Sequence, residues 1–274
     1  MRGLRIGVLA FGIASVAIAG VPLVIPGADS MPTGALGDAV RYGQTIVNDT
    51  QNTVASYVGN GLTCSQCHIG GGTVVYAAPF AGLPGLFPEY RSRTGRVETL
   101  EERINDCFLR SMNGQVLPAY SREMIALLAY IGWLSQGVPG GVEVTGRGFR
   151  DIRSPTPPDA TRGKALYAER CSACHGANGQ GVRASGRGYA FPPLWGADSF
   201  NQGAGMARVS IAAAFIQTKM PLGAGGTLTD QEAYDIAAYV TSQPRPAFSK
   251  AASDWPHGDA PPDATTGRRP AATH

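Results

Sequence analysis

The sequence predicts an all-α chain of two small tandem domains joined by a Pro/Gly-rich linker. Three observations carry this. The pattern C-x-x-C-H occurs twice, at Cys64–His68 and Cys171–His175, 107 residues apart. Each copy is followed by a Gly/Pro-rich loop and then an apolar helical stretch, in which the pairs Ala129-Tyr130 and Ala238-Tyr239 lie 109 apart. No segment alternates apolar and polar residues for long enough to make a sizeable strand. The length of 274 residues suits about two domains. With 37 Gly and 20 Pro the chain stays below the roughly 25–30% that marks disordered low-complexity sequence, so it is loop-rich but folded.

Residues 1–30 read as an export signal. Arg2 and Arg5 form a positive start, Ile6–Ile25 carries no charge, and Ala17-Ile18-Ala19 is a small-residue cleavage pattern. The uncharged run is about 20 residues long, close to what crosses a bilayer as a helix. The segment is therefore either a cleaved signal peptide or an N-terminal anchor, and both place the remainder in the periplasm. Gly7, Gly12, Gly20 and Pro22 make it a poor permanent span. The net charge is +3, and two of those positives sit in the leader, which excludes a strongly basic nucleic-acid-binding surface.

The first domain is expected over 32–137. Thr99-Leu100-Glu101-Glu102 fits a capping box, so a helix should run from about Leu100 through Arg110, with Leu100, Ile104, Cys107 and Phe108 inward. Ile125, Leu128, Ala129, Gly132 and Trp133 mark the apolar face of its closing helix. The linker, 138–158, holds Pro139-Gly140-Gly141 and Pro155-Thr156-Pro157-Pro158 and has little helix potential. The second domain spans 159–243. Its closing helix starts at the capping box Thr229-Asp230-Gln231-Glu232 and turns Ala233, Ile236, Ala237 and Val240 inward. From 244 to 274 the chain is rich in Pro, Ala, Asp and Gly and is expected to be disordered.

The repeated motif has a definite chemistry. Two thiols three positions apart on one turn can form thioethers with the two vinyl groups of a haem, and the adjacent His reaches the iron. A structural zinc site wants four ligands where each cluster supplies three. A thioredoxin-like C-x-x-C leaves the following His unexplained. Five cysteines cannot all pair as disulfides. The chain should therefore carry two covalently bound haem c, attached through Cys64 and Cys67 and through Cys171 and Cys174. His68 and His175 are the proximal ligands. Each repeat is then a class I cytochrome c-like domain.

The sixth ligands distinguish a carrier from an enzyme. In the second domain Lys219-Met220-Pro221 stands where Met-Pro usually supplies the distal thioether, so Met220 is the ligand; Lys219 adjoins it, and Met206 is read as packing. The first domain breaks the pattern. Repeat spacing points to Met112, the proline position to Leu117, which cannot ligate, and the odd cysteine is Cys107. Spacing alone leaves Met112 and Cys107 open. Arg103, Arg110 and Ser111 flank Cys107 on its helix, and Arg91, Arg93 and Arg96 precede it. These arginines form either a face paired with Glu98, Glu101, Glu102 and Asp106, or a forked cationic pocket for a small oxyanion.

These residues resemble the dihaem c-type thiosulfate dehydrogenases, which form tetrathionate. The resemblance rests on the two haem motifs, on Arg103-Ile104-Asn105-Asp106-Cys107-Phe108-Leu109-Arg110-Ser111-Met112-Asn113-Gly114 and on Lys219-Met220-Pro221, and it covers about Gly34 to Gln243. It implies His68/Cys107 ligation at the first haem and His175/Met220 at the second, with Lys219 able to exchange with Met220. It implies Arg93 and Ser111 as substrate contacts beside Arg103 and Arg110. Thiosulfate and tetrathionate are then the substrate pair, in either direction, and an external cytochrome c takes the electrons. Two other classes compete. A non-catalytic dihaem carrier or oxidase subunit would use Met112. A sulfur-oxidising dihaem protein that conjugates thiosulfate to a carrier cysteine typically has its cysteine ligand in the second domain, where this chain has Met220.

Overall fold

A computed structural model of the chain describes residues 20–184 and 186–267. Most of the expected leader, residues 1–19, lies outside them. Among the described residues no helix is long and apolar enough to cross a membrane.

The architecture is helical. In the first domain α1 (Gly34–Asn48), α2 (Leu100–Arg110) and α3 (Arg122–Leu134) surround the first motif. In the second, α4 (Ala160–Arg170), α5 (Val209–Lys219) and α6 (Asp230–Ser242) surround the other. Two short antiparallel hairpins are added: β1 (Glu89–Arg91) with β2 (Arg96–Glu98), and β3 (Val182–Arg183) with β4 (Tyr189–Phe191). Both expected capping boxes form. Thr99 accepts from the Glu102 amide while Glu102 reaches back to the Thr99 amide, and Thr229 and Glu232 do the same. α2 begins and ends where its caps predict.

The first and last helices of each domain cross at a glycine. A Cβ on Gly43 would lie 2.0 Å from the Ala126 carbonyl oxygen, and one on Gly163 would lie 1.9 Å from that of Asp235. The backbones therefore touch, and Tyr130 and Tyr239 pack over the two crossings. Around the first, Val40, Ile46 and Val47 of α1 meet Met124, Leu127, Tyr130, Ile131 and Leu134 of α3. This corrects the expected face of α3. Ile125 is 51% exposed, and the buried stripe is rotated by about one position. The helix is apolar on nearly every side, so its period could not choose; contact with Gly43 did. In α6 the expected inward residues Ala233, Ile236, Ala237 and Val240 are all buried.

Asp235 anchors the second crossing. It accepts from Arg162 Nε at 2.7 Å and Nη2 at 3.0 Å, the Asp159 amide at 2.8 Å and Gln231 at 3.0 Å. Burial alone would raise its pKa, but Arg162 and the Asp159 amide outweigh this and hold it below the usual carboxylate value. Its contribution is thus complete above the unfolded value of about 3.9 and is lost as pH falls through the lower folded one. Asp235→Asn should cost about 2 kcal/mol of stability at pH 7. Denaturant titrations at several pH values should show the gap from the parent narrowing below about pH 4.

The linker contains no helix, as expected, but it is not idle. Val144 and Ile152 are buried, and the Gly146 and Gly148 carbonyls accept from the Tyr76 and Ala78 amides. The expectation of a disordered tail is overturned over 244–267. Phe248, Asp254, Trp255 and Thr266 are buried, and the segment straps across both domains. Asp263 binds Arg208 and the Ser210 amide of the second domain, while the Trp255 amide donates to the Arg93 carbonyl of the first at 2.7 Å. Composition pointed to disorder because Pro, Ala and Asp dominate; a few aromatic and acidic residues with distant partners hold the strap.

Candidate functional site

Both C-x-x-C-H turns present their histidines alike. His68 Nδ1 lies 2.7 Å from the Ala78 carbonyl and His175 Nδ1 2.9 Å from that of Pro192. Such a contact sets the tautomer and leaves Nε2 for a metal. A phenylalanine supports each ring, Phe80 at 4.6 Å and Phe191 at 6.3 Å between centroids. The first brace is indirect: the linker glycines hold the Tyr76–Ala78 segment, whose two ends both have positive φ, and Ala78 holds His68. A buried tyrosine steadies each following loop, Tyr130 donating to the Gly71 carbonyl and Tyr167 to that of Gly176. Thr50 bonds the Cys64 amide and Thr63 caps the turn, with Gln66 returning the bond. These donors fit a covalent haem c with one axial histidine in each domain.

The three sulfurs of the first domain differ. Burial pushes the Cys64 thiol up to about 11 and the Cys67 thiol up to about 12. Burial also acts to raise Cys107, but the Arg103 guanidinium and His68 outweigh it and bring the thiol down to about 7. Arg103 Nη1 sits 3.2 Å from Cys107 Sγ, and the thiolate in turn raises the pKa of Arg103. Arg103 and His68 thus both favour the anionic form of Cys107. Met112, its rival by spacing, is 3% exposed within the apolar core.

The helix carrying Cys107 is locked at its C-terminal end, where carbonyls lack intrahelical partners. Asn201 of the second domain donates to the Leu109 carbonyl at 2.8 Å through its side chain and to the Arg110 carbonyl at 3.1 Å through its amide. Asn60 donates to the Ser111 carbonyl at 2.9 Å. Asn113 then takes positive φ, and the Gly114 amide returns to the Phe108 carbonyl, a left-handed stop that an Asn-Gly pair suits.

The five arginines separate. Arg91 pairs with Glu89 and Arg96 with Glu102 on the surface, and Arg96 also reaches the buried Glu98 at 3.4 Å. Arg103 serves Cys107. Arg110, expected beside the substrate, is instead committed to protein: it grips Asp254 of the strap through both terminal nitrogens at 2.8 Å, reaches Asp106 at 3.3 Å and lies over Phe248. Arg93 approaches the same Asp254 at 3.2 Å. Burial and the Arg110 charge lower its pKa to about 10. Ser111, half-buried, follows α2 directly. Arg93, Arg103, Arg110, Ser111 and Cys107 therefore gather around one helix. Sequence reasoning missed Asp254, Asn201, Asn60 and Ala78, none of which has a local motif.

In the second domain Met220 ends α5, its amide bonded to the Ile216 carbonyl. Lys219 lines a cleft of about 340 Å³ with Tyr76, Arg150, Gln217, Thr218 and Gly225, and burial lowers its pKa. Met206 packs against the first domain's core.

Known proteins match along the same lines. Residues 55–139 match the family model described as SoxA/TsdA, cytochrome c domain, and residues 160–244 match that described as Cytochrome c. A thiosulfate dehydrogenase of Psychrobacter arcticus is 47% identical over 87% of this chain and 73% of its own length. One from Allochromatium vinosum is 48% identical over 85% of this chain and 88% of its own. The solved "as isolated" thiosulfate dehydrogenase TsdBA of Marichromatium purpuratum superposes with a TM-score of 0.80 at 41% identity, over 85% of this chain and 51% of that one, so this chain spans about half its length. Two cytochrome c domains, each with its attachment motif, account for two covalently bound haem c groups. The tandem fold and this identity across both domains show that the chain belongs to the thiosulfate dehydrogenase family.

Proposed function

We propose that the chain joins two thiosulfate ions into tetrathionate in the first domain, at a haem held by His68 and Cys107, and passes the electrons through a His175/Met220 haem to an external cytochrome c. Each thiosulfate gives up one electron and a sulfur–sulfur bond forms between them, so two dianions become one dianion and two electrons leave. The bound haems supply one-electron acceptors, two for a two-electron reaction. The observation that carries the reading is the Cys107 sulfur held 3.2 Å from Arg103 Nη1, where Arg103 and His68 favour its anionic form, with Met112 packed in the core.

The protein's own task is electrostatic. Two dianions about 4 Å apart repel by roughly 4 kcal/mol even in water. Arg93 and Arg103, with the Ser111 hydroxyl, offset this by presenting planar donors that match sulfonate-like oxygens. Arg110 holds its helix and the strap and serves the site from behind. Lys219 is the neighbouring amine that can replace Met220. The same groups serve tetrathionate reduction equally. The domains divide at 32–137 and 159–243, and the protein acts in the periplasm, delivered by the 1–30 leader.

Anaerobic mixing of the oxidised protein with thiosulfate tests this. Haem reduction should accompany tetrathionate formation, and electron spin resonance should show a thiolate-ligated low-spin centre. Two ordinary thioether-ligated centres with no response to thiosulfate would leave only an electron carrier.

A further inference from the structure

The C-terminal strap places a carboxylate between two arginines that differ in how fully they are used. Asp254 is 3% exposed. It accepts two hydrogen bonds from Arg110 at 2.8 Å and one from the Thr266 hydroxyl, and it lies 3.2 Å from Arg93 Nε. Arg110 has a partner on every nitrogen: Nε donates to Asp106, both terminal nitrogens donate to Asp254, and Nη1 also faces the Gly203 carbonyl. Arg93 does not. Its Nη2 is buried with no partner among the described residues, while Nε faces Asp254 at 3.2 Å without an aligned hydrogen bond. Donors buried in that state cost about 1–3 kcal/mol each, so an arriving oxyanion would satisfy groups the fold leaves unmet.

The strap also fixes where Arg93 can be. Arg93 lies in the turn between β1 and β2, a place where a long side chain would otherwise wander. Three contacts from 254–257 hold it: the Asp254 carboxylate, the Trp255 amide on the Arg93 carbonyl at 2.7 Å, and the Trp255 ring 5.5 Å from the guanidinium. Pro256 packs so closely on Gly95 that a Cβ there would come within 2.5 Å of it. The turn and the strap are one unit.

We propose that Asp254 is a positioning residue for sulfur oxyanions: it engages both terminal nitrogens of Arg110 and holds Arg93 by its Nε so that the unpartnered Nη2 donors meet the thiosulfate oxygens. This rests on the reading of Arg93 as a substrate contact. Asp254 acts through Arg93 and does not touch substrate.

The test uses the dihaem holoprotein with thiosulfate. Asp254→Asn should raise KM about tenfold, the loss of one charge-assisted hydrogen bond, with kcat within about twofold. Arg93→Gln should raise KM at least as much, and the double variant should be no worse than Arg93→Gln alone, because both act through one group. If Asp254→Asn leaves KM unchanged, or lowers it as removal of a competing anion would, the proposal is wrong. If Arg93→Gln also leaves KM unchanged, the substrate role of Arg93 is what has failed. Hydrogen exchange across 248–267 reports whether the strap stays docked. Should Asp254→Asn release it or fail to fold, the comparison moves to Arg110→Gln against Arg110→Gln with Asp254→Asn, in which amides replace the ion pair. The same tenfold difference in KM is expected there, and its absence overturns the proposal equally.

Discussion

Replacing Cys107 with methionine should leave both haems attached and cut thiosulfate turnover by on the order of 10³-fold. Attachment survives because Cys64, Cys67, Cys171 and Cys174 lie in two motif turns whose bonds do not involve Cys107. Turnover falls because the substitution removes the thiol whose anionic form Arg103 and His68 favour and leaves Arg103 without its partner at 3.2 Å. A thioether also raises the potential of its centre relative to a thiolate, which works against passing electrons to the second haem under the proposed Met220 ligation. Haem-to-protein absorbance ratio, the spin-resonance spectrum and steady-state thiosulfate oxidation check the three parts. Two haems, a lost thiolate signal and residual activity near background are expected together. Full activity in this variant would end the assignment of Cys107 to the reaction.

Gly43→Ala should destabilise the first domain by about 3 kcal/mol or more. The added methyl would stand 2.0 Å from the Ala126 carbonyl oxygen and 2.7 Å from Tyr130 Cβ. The obstacle is backbone in a helix, so the crossing itself must open. Tyr130 would move with it, loosening its bond to the Gly71 carbonyl three residues beyond His68. Gly132, on the opposing helix, is the control. A Cβ there meets nothing within 4 Å, so Gly132→Ala should stabilise by about 0.5–1 kcal/mol through the unfolded chain. Opposite signs in denaturant midpoints, at unchanged slope, are the expected outcome. Equal effects would mean the crossing is not set by backbone contact.

Several features of the fold were legible because their causes lie within a few residues. Thr99 and Glu102 begin α2, and Thr229 and Glu232 begin α6, through bonds spanning three positions. The inward face of α6 followed from its period because its other face is polar; that of α3 did not, because almost no residue on it objects to burial. Cys107 was legible as an odd cysteine among arginines, yet spacing alone could not set it above Met112. That Arg103 and His68 both favour the anionic form of Cys107 was legible only in the folded chain.

The sequence by itself determined that there are two haem attachment turns, two helical units and a cluster of arginines around one spare thiol, since each is written in adjacent residues or a simple period. Only the tertiary structure decided how those arginines are employed and that the tail is a strap. Arg110 meets Asp254 across 144 positions, and Asn201 reaches the end of α2 across 92. A buried charge takes whatever partner the packing brings to it, and no local pattern records which distant carboxylate that will be.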